Sequence, residues 1–172
     1  QIVDQNLRLV AELQKRITPS EAAKQLALAG RYYNEAYLGW ELNNSGHAVS
    51  VVVPEIYTKS RLYTDKMGNY GFRTTGGKEG TRKVMIDALA EMIPEHDIEI
   101  QSKHAVGECL AFRLNSSGKY EAQTGAHDDL VISLAGVIQM WKDKPIKTMS
   151  AVKKALREEK RKQKKINAYY DE

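Results

Sequence analysis

Two acidic positions stand where a fold would put carboxylates to work. Glu41 closes the short apolar run Ala36-Tyr37-Leu38-Gly39-Trp40, which reads as a strand buried on both faces. His127-Asp128-Asp129 stands immediately before a run with Leu130, Leu134, Val137, Ile138 and Trp141 at helical spacing. Taken singly, Glu41 is a surface residue at a strand end, and the aspartates are helix caps that accept free amides at the positive end of the dipole. Two adjacent carboxylates exceed what a cap needs, and a divalent cation would relieve their repulsion. Ligand sites in open α/β sheets lie outside the strand carboxyl ends, often beside helix starts. Glu41 and Asp128/Asp129 therefore offer hard oxygen ligands from two separate segments. Such ligands suit magnesium or manganese rather than zinc. A pair of these ions is the recurring device for phosphodiester cleavage.

Other chemistry is poorly supported. Gly76-Gly77-Lys78-Glu79-Gly80-Thr81 resembles a phosphate loop, but Phe72 stands where the first glycine is needed and Glu79 where a Ser or Thr is needed. His47, His96 and His104 are scattered without ligand spacing and read as surface residues. The single cysteine, Cys109, excludes an internal disulfide and a cysteine-based zinc cluster, and in its apolar segment it reads as a small core residue.

The elements that must position these residues fit into one domain. The chain has 172 residues, 42% hydrophobic and 28% charged, which is enough for a single core and wrong for a disordered chain. No apolar run reaches the ~18 residues that a membrane span requires. The chain opens on Gln1 with no signal-like segment, as expected of a piece of a longer polypeptide. Of 26 basic and 22 acidic residues, eight and four lie between Ala151 and Glu172, which leaves 18 of each in the body. The sequence pI of about 9.0 thus belongs to the tail.

Alternation predicts a hairpin over 1–14, turned by Asp4-Gln5-Asn6. Thr18-Pro19-Ser20-Glu21 predicts a capping box and a helix ending near Tyr33. The valines of 47–53 favour a strand. Residues 61–63 read as a strand, 66–80 as an exposed hairpin or loop, and 97–100 as a short strand. A helix carrying Val84, Ala88, Leu89 and Met92 should stop before Pro94. Residues 108–114 form a short apolar segment, followed by a turn at 116–118. The last helix is expected over 150–168. These elements make an α/β layered domain with a mixed sheet.

Three blocks resemble a known family. Tyr33-Asn34-Glu35-Ala36 followed by Glu41-Leu42-Asn43-Asn44-Ser45-Gly46 is similar to the "Y-N-x-A … E-x-N-x-x-G" segment in the nuclease domain of tailed-bacteriophage large terminase subunits. Gly71-Phe72-Arg73-Thr74-Thr75, then Thr81-Arg82, resembles that domain's "G-[WF]-x-T-T … T-[KR]" region, and Gly125 to Val131 resembles its "G-x-H-D-D-L-V" motif. The blocks occur in the family's order.

The resemblance implies a ribonuclease H-like mixed sheet flanked by helices, with the first strand truncated, over 1–149, and a basic helical tail over 150–172. It implies a metal-dependent endonuclease that cuts concatemeric viral DNA during genome packaging, using Mg2+ or Mn2+ in a two-metal site. Glu41, Asp128 and Asp129 are then the catalytic metal ligands, with His127 as a further ligand and Arg73, Arg82 and Lys83 as phosphate contacts. The family's first aspartate falls upstream of Gln1, which predicts weak activity for this piece; Asp4, the nearest substitute, reads as a turn residue. The implied partners are double-stranded DNA, an ATPase domain in the same full-length chain, the portal ring and the small terminase subunit, in the host cytoplasm and away from membranes. The resemblance also makes 47–53 a helix. Another ribonuclease H-like nuclease, of resolvase or transposase type, would share the metal site. A non-catalytic DNA- or portal-docking module would rely on Lys153 to Lys165 instead.

With its charge confined to the tail, the chain should bind DNA electrostatically through counterion release. Deleting Ser150 onward should lower both duplex affinity and the salt slope of binding. An unchanged slope would assign the tail to another role.

Overall fold

The N-terminal hairpin forms as the alternation predicts. In the computed structural model, which describes residues 1–43, 45–77, 80–116 and 118–143, β1 (Ile2–Val3) pairs antiparallel with β2 (Leu9–Ala11). The expected final helix and basic tail lie outside the described residues. Asp4 makes the turn: its Oδ1 accepts from the amides of Asn6 at 2.8 Å and Arg8 at 3.0 Å, and its Oδ2 pairs with Arg8 Nη2 at 2.6 Å. Its carboxylate is fully used by the turn. On the far side of β2, Leu9 donates to the Glu99 carbonyl and Glu99 to that of Leu7, a parallel bridge.

Helix α1 (Pro19–Tyr32) starts on the expected capping box, with the Thr18 side chain accepting from the Glu21 amide and the Glu21 carboxylate accepting from that of Thr18. Helix α2 (Gly46–Ile56) corrects the strand reading of 47–53. Val49 and Val53, four residues apart, are buried against Ala23 and Ala27 of α1. Burial of that one face outweighs the local β preference of the valines, as tertiary context commonly does. Trp40 joins this cluster and donates its Nε1 hydrogen to Ser50 Oγ at 2.8 Å.

The apolar run ending at Glu41 pairs along a single edge. Leu38 donates to the Arg61 carbonyl and accepts from the Tyr63 amide; farther along, Trp40 accepts from Phe72 and Leu42 donates to it. Both contacts are parallel bridges, Leu38 to Leu62 and Glu41 to Phe72. The neighbouring chain therefore leaves the edge after Tyr63, turns through 64–70, and returns at Phe72. Gly71 makes the return possible: its φ is +96°, and a Cβ there would lie 2.7 Å from the Trp40 carbonyl oxygen. The stretch 66–80 is thus only partly the exposed loop expected, because Phe72 is buried. Its ring lies on α5 (Asp129–Asp143) over Gly136, where a Cβ would stand 2.5 Å from Phe72 Cζ.

Helix α3 (Thr81–Met92) packs on α5, with Met85, Ile86, Leu89, Leu134, Ala135 and Ile138 at the centre of the core. Val84, expected on the buried face, is exposed. Helix α4 (Lys103–Ala111), started by Ser102 accepting from the Ala105 amide, replaces the first half of the apolar segment read over 108–114. It runs directly into β3 (Phe112–Leu114), which pairs antiparallel with β4 (Tyr120–Ala122) across the expected turn. Among the described residues the named strands make two antiparallel pairs, and the parallel contacts are single bridges rather than a continuous mixed sheet. No described helix is long and apolar enough to cross a membrane.

Gly71→Ala should cost roughly 2–4 kcal/mol, combining left-handed backbone strain with a clash against a fixed carbonyl. Equilibrium urea unfolding measures this. A loss below about 1 kcal/mol would show that the return at Phe72 tolerates a side chain.

Candidate functional site

Glu41 stands at the carboxyl end of its paired segment and is held by its neighbours. Its Oε1 accepts from Asn43 Nδ2 at 2.9 Å and from the hydroxyl of Thr74. Asn43 Nδ2 also reaches the Thr74 carbonyl at 2.8 Å. The family-like residues Glu41, Asn43 and Thr74 therefore form one polar knot two residues beyond the Phe72 bridge. Oε2 of Glu41 has no partner among the described residues.

From that knot the chain leads directly to α3. The Thr75 amide donates to Thr81 Oγ1 at 2.9 Å, the Thr81 amide donates to Thr75 Oγ1 at 3.0 Å, and the Arg82 amide donates to the Thr75 carbonyl at 3.3 Å. These bonds place Arg82 at the first turn of α3, where its Nη2 meets Asp128 Oδ2 at 2.5 Å. One segment, Gly71 to Arg82, thus touches Glu41 at one end and Asp128 at the other. Arg73, a predicted phosphate contact, is exposed on this segment.

Asp128 and Asp129 sit at the start of α5 as predicted. Asp128 gives its backbone carbonyl to the Ile132 amide and its carboxylate to Arg82. The carboxylate of Asp129 and the ring of His127 are exposed and without partners among the described residues. The sequence reading missed Glu108 of α4, whose Oε2 accepts from the Leu130 amide at 2.7 Å and whose Oε1 accepts from Gln14 Nε2 at 3.2 Å. Glu108 satisfies a free amide of α5, so Asp129 is not needed for that purpose. A helical reading from Ser102 onward would have put Glu108 on a packing face; reading 108–114 as a short apolar segment hid it. Among the described residues, no group of three or more His, Cys, Asp or Glu side chains is gathered closely enough to hold a metal ion.

Lys83, the other predicted phosphate contact, belongs to a second knot. Its ammonium pairs with Asp87 and lies 5.8 Å from the Tyr120 ring centroid, while Tyr120 donates its hydroxyl to Asp87 Oδ1 at 2.7 Å. Lys83 and Tyr120 together hold the Asp87 carboxyl below the usual range, and Asp87 in turn raises Lys83. Tyr120 also stacks on Phe112, at 5.9 Å between centroids and 7° between planes. The β3–β4 hairpin is thereby fastened to α3. A surface depression of about 750 Å³ between α1 and α2 is lined by Lys24, Leu28, Arg31 and Tyr57 and contains none of the predicted site residues.

No protein-family model and no curated protein sequence matches this chain. Its fold is similar to that of a solved structure, the large terminase nuclease from thermophilic phage G20c with bound cobalt, at a TM-score of 0.55 and 18% identity. The match covers 73% of this chain and 64% of that one, so the chain spans under two thirds of its neighbour's length. The shared fold agrees with the α/β nuclease architecture that the three motif blocks imply.

The Asp87 knot sets a pH dependence. Because Asp87 is lowered in the folded state, its contribution to stability is complete above the ordinary aspartate value of about 3.9 and is lost as pH falls through the lower folded value. Asp87→Asn should therefore lower Tm at pH 7, and the gap from the parent should close as pH drops below ~4. A gap that stays constant down to pH 3 would refute the linkage.

Proposed function

We propose that this chain is the nuclease part of a DNA-packaging terminase: a divalent-metal-dependent endonuclease of ribonuclease H-like fold that cuts concatemeric double-stranded viral DNA. The observation that carries this reading is the joining of Glu41 and Asp128 to opposite ends of the Gly71–Arg82 segment, at the carboxyl end of the parallel contacts. It is supported by a fold shared with a terminase nuclease whose crystals contained cobalt.

By their chemistry the donors suit a hard divalent ion, although among the described residues they are not gathered around a common point. Glu41, Asp128 and Asp129 supply carboxylate oxygens, and Oε2 of Glu41 and both oxygens of Asp129 are unengaged among the described residues. His127 adds a borderline nitrogen that favours manganese over magnesium. Bound by these residues, such ions supply an activated water and charge stabilisation for the departing oxygen. The protein's own part is orientation. Asn43 and Thr74 fix one oxygen of Glu41 and so aim the other, and supports of this kind commonly alter metal affinity 10–100-fold. Arg82 balances Asp128 and must share or surrender that carboxylate when an ion binds. Arg73, Arg82 and Lys83 then serve the phosphates. The ATPase domain of the full-length chain, the portal ring and the small terminase subunit are the partners this role requires, in the host cytoplasm.

Nicking of supercoiled plasmid in Mg2+ and Mn2+, together with calorimetric Mn2+ binding, tests the assignment. Glu41→Gln, Asp128→Asn and Asp129→Asn should each reduce cutting at least ~100-fold and weaken Mn2+ binding, since loss of a ligand should cost no less than loss of its support. Cutting that persists in EDTA, or Mn2+ binding that none of the three substitutions alters, would overturn it.

A further inference from the structure

A cleft of about 190 Å³ opens between the start of α3 and the β3–β4 hairpin, and its charged side chains are Arg82, Lys83 and Lys119. Among the described residues no acidic side chain lines it. Two of these cations already have carboxylate partners, Arg82 with Asp128 and Lys83 with Asp87. Lys119 has none among the described residues for its ammonium: its amide donates to Asn115 Oδ1, and the side chain is exposed. Among the described residues, three cations against two carboxylates leave one positive charge in excess.

The rest of the described wall is glycine and Tyr120. Gly76, Gly77 and Gly118 line the cleft, and a Cβ at any of them would meet nothing within 4 Å. Gly77 and Gly118 have φ of +97° and +75°, where a larger residue would be strained. The backbone is therefore bare on this side. The amides of Gly76 and Gly77 have no acceptor among the described residues. Exposed amides beside unpaired positive charge are the usual surroundings of a bound phosphate. The ledge carrying Lys119 is also held in place, because the neighbouring Tyr120 is tied to Asp87 and stacked on Phe112.

We propose that this cleft binds a phosphodiester of the DNA backbone, with Lys119 as the pairing cation and the Gly76–Gly77 amides as donors. The proposal rests on the nuclease reading for the identity of the nucleic acid. Arg82 links the two sites: the same side chain lines the cleft and meets Asp128. A phosphodiester held here enters the carboxylate edge from the hairpin side. Phosphate contacts set register without reading sequence, as sequence-indifferent cutting requires. The geometry differs from a nucleotide-gripping phosphate loop, because the cleft is assembled from two distant chain segments and lacks that loop's glycine and hydroxyl positions.

The test is fluorescence anisotropy of a labelled DNA duplex across a salt series in EDTA, with plasmid cutting in Mn2+ run in parallel. Lys119→Ala should weaken duplex binding about three- to tenfold and lower the salt slope by about one, and Lys119→Glu should do more. Lys24→Ala, on α1 and outside the cleft, should match the parent in both. Lys119 variants that bind with the parent's affinity and slope would overturn the cleft while leaving the nuclease reading intact, provided Asp128→Asn still abolishes cutting. Lys119-dependent binding without metal-dependent cutting would support the cleft and overturn the nuclease reading. A parent chain that fails to bind duplex would overturn both.

Discussion

The segment from Gly71 to Arg82 has to satisfy two carboxylates at once, and the candidate site depends on that constraint. At its start it must lie flat against Trp40, which only a residue without a side chain allows. At its end it must begin a helix whose first turn aims Arg82 at Asp128. Between them, reciprocal bonds between Thr75 and Thr81 fix the angle. The same segment joins the two halves of the core. Phe72 packs with α3 and α5, while its backbone partner Trp40 packs with α1 and α2. Site and core therefore share a single support, and damage to one is felt in the other.

The parts of this arrangement legible in the sequence were those governed by local chemistry. The Thr18 capping box, the Asp4 turn and the start of α5 each depend on residues within a few positions of one another, and each formed where the residue types required. The parts that misled were decided at long range. The valines of α2 have β-branched side chains but are buried on one face against α1, and no local pattern announces the existence of α1's small-residue surface. Residues 108–114 looked like one apolar segment, yet the chain divides there into the end of a helix that packs on α5 and a strand that pairs with β4. Glu41 was found as a strand end, whereas the Thr74 and Asn43 that hold it became visible only when the strand returned.

Glu108 shows why the adjacent aspartates are informative. The start of α5 exposes amides that some acceptor must satisfy. That role could have explained Asp129 in full. Instead Glu108 reaches across from α4 to the Leu130 amide, and Asp129 points its charge outward. Three carboxylates then belong to one helix start, with Arg82 as the cation that pairs with one of them. The helix dipole offsets only part of that charge.

Arg82 is the residue in which these demands meet. Among the described residues its Nε is buried without an acceptor, while its Nη2 is committed to Asp128. A guanidinium presents five donors in a fixed fork, so a pairing that leaves a buried donor unmet is an incomplete use of the side chain, with a cost of about 1–3 kcal/mol for such a group. The same side chain also lines the cleft between α3 and the β3–β4 hairpin. The ion pair and the cleft thus meet at a single cation, and its fork carries more donors than either partner alone can satisfy.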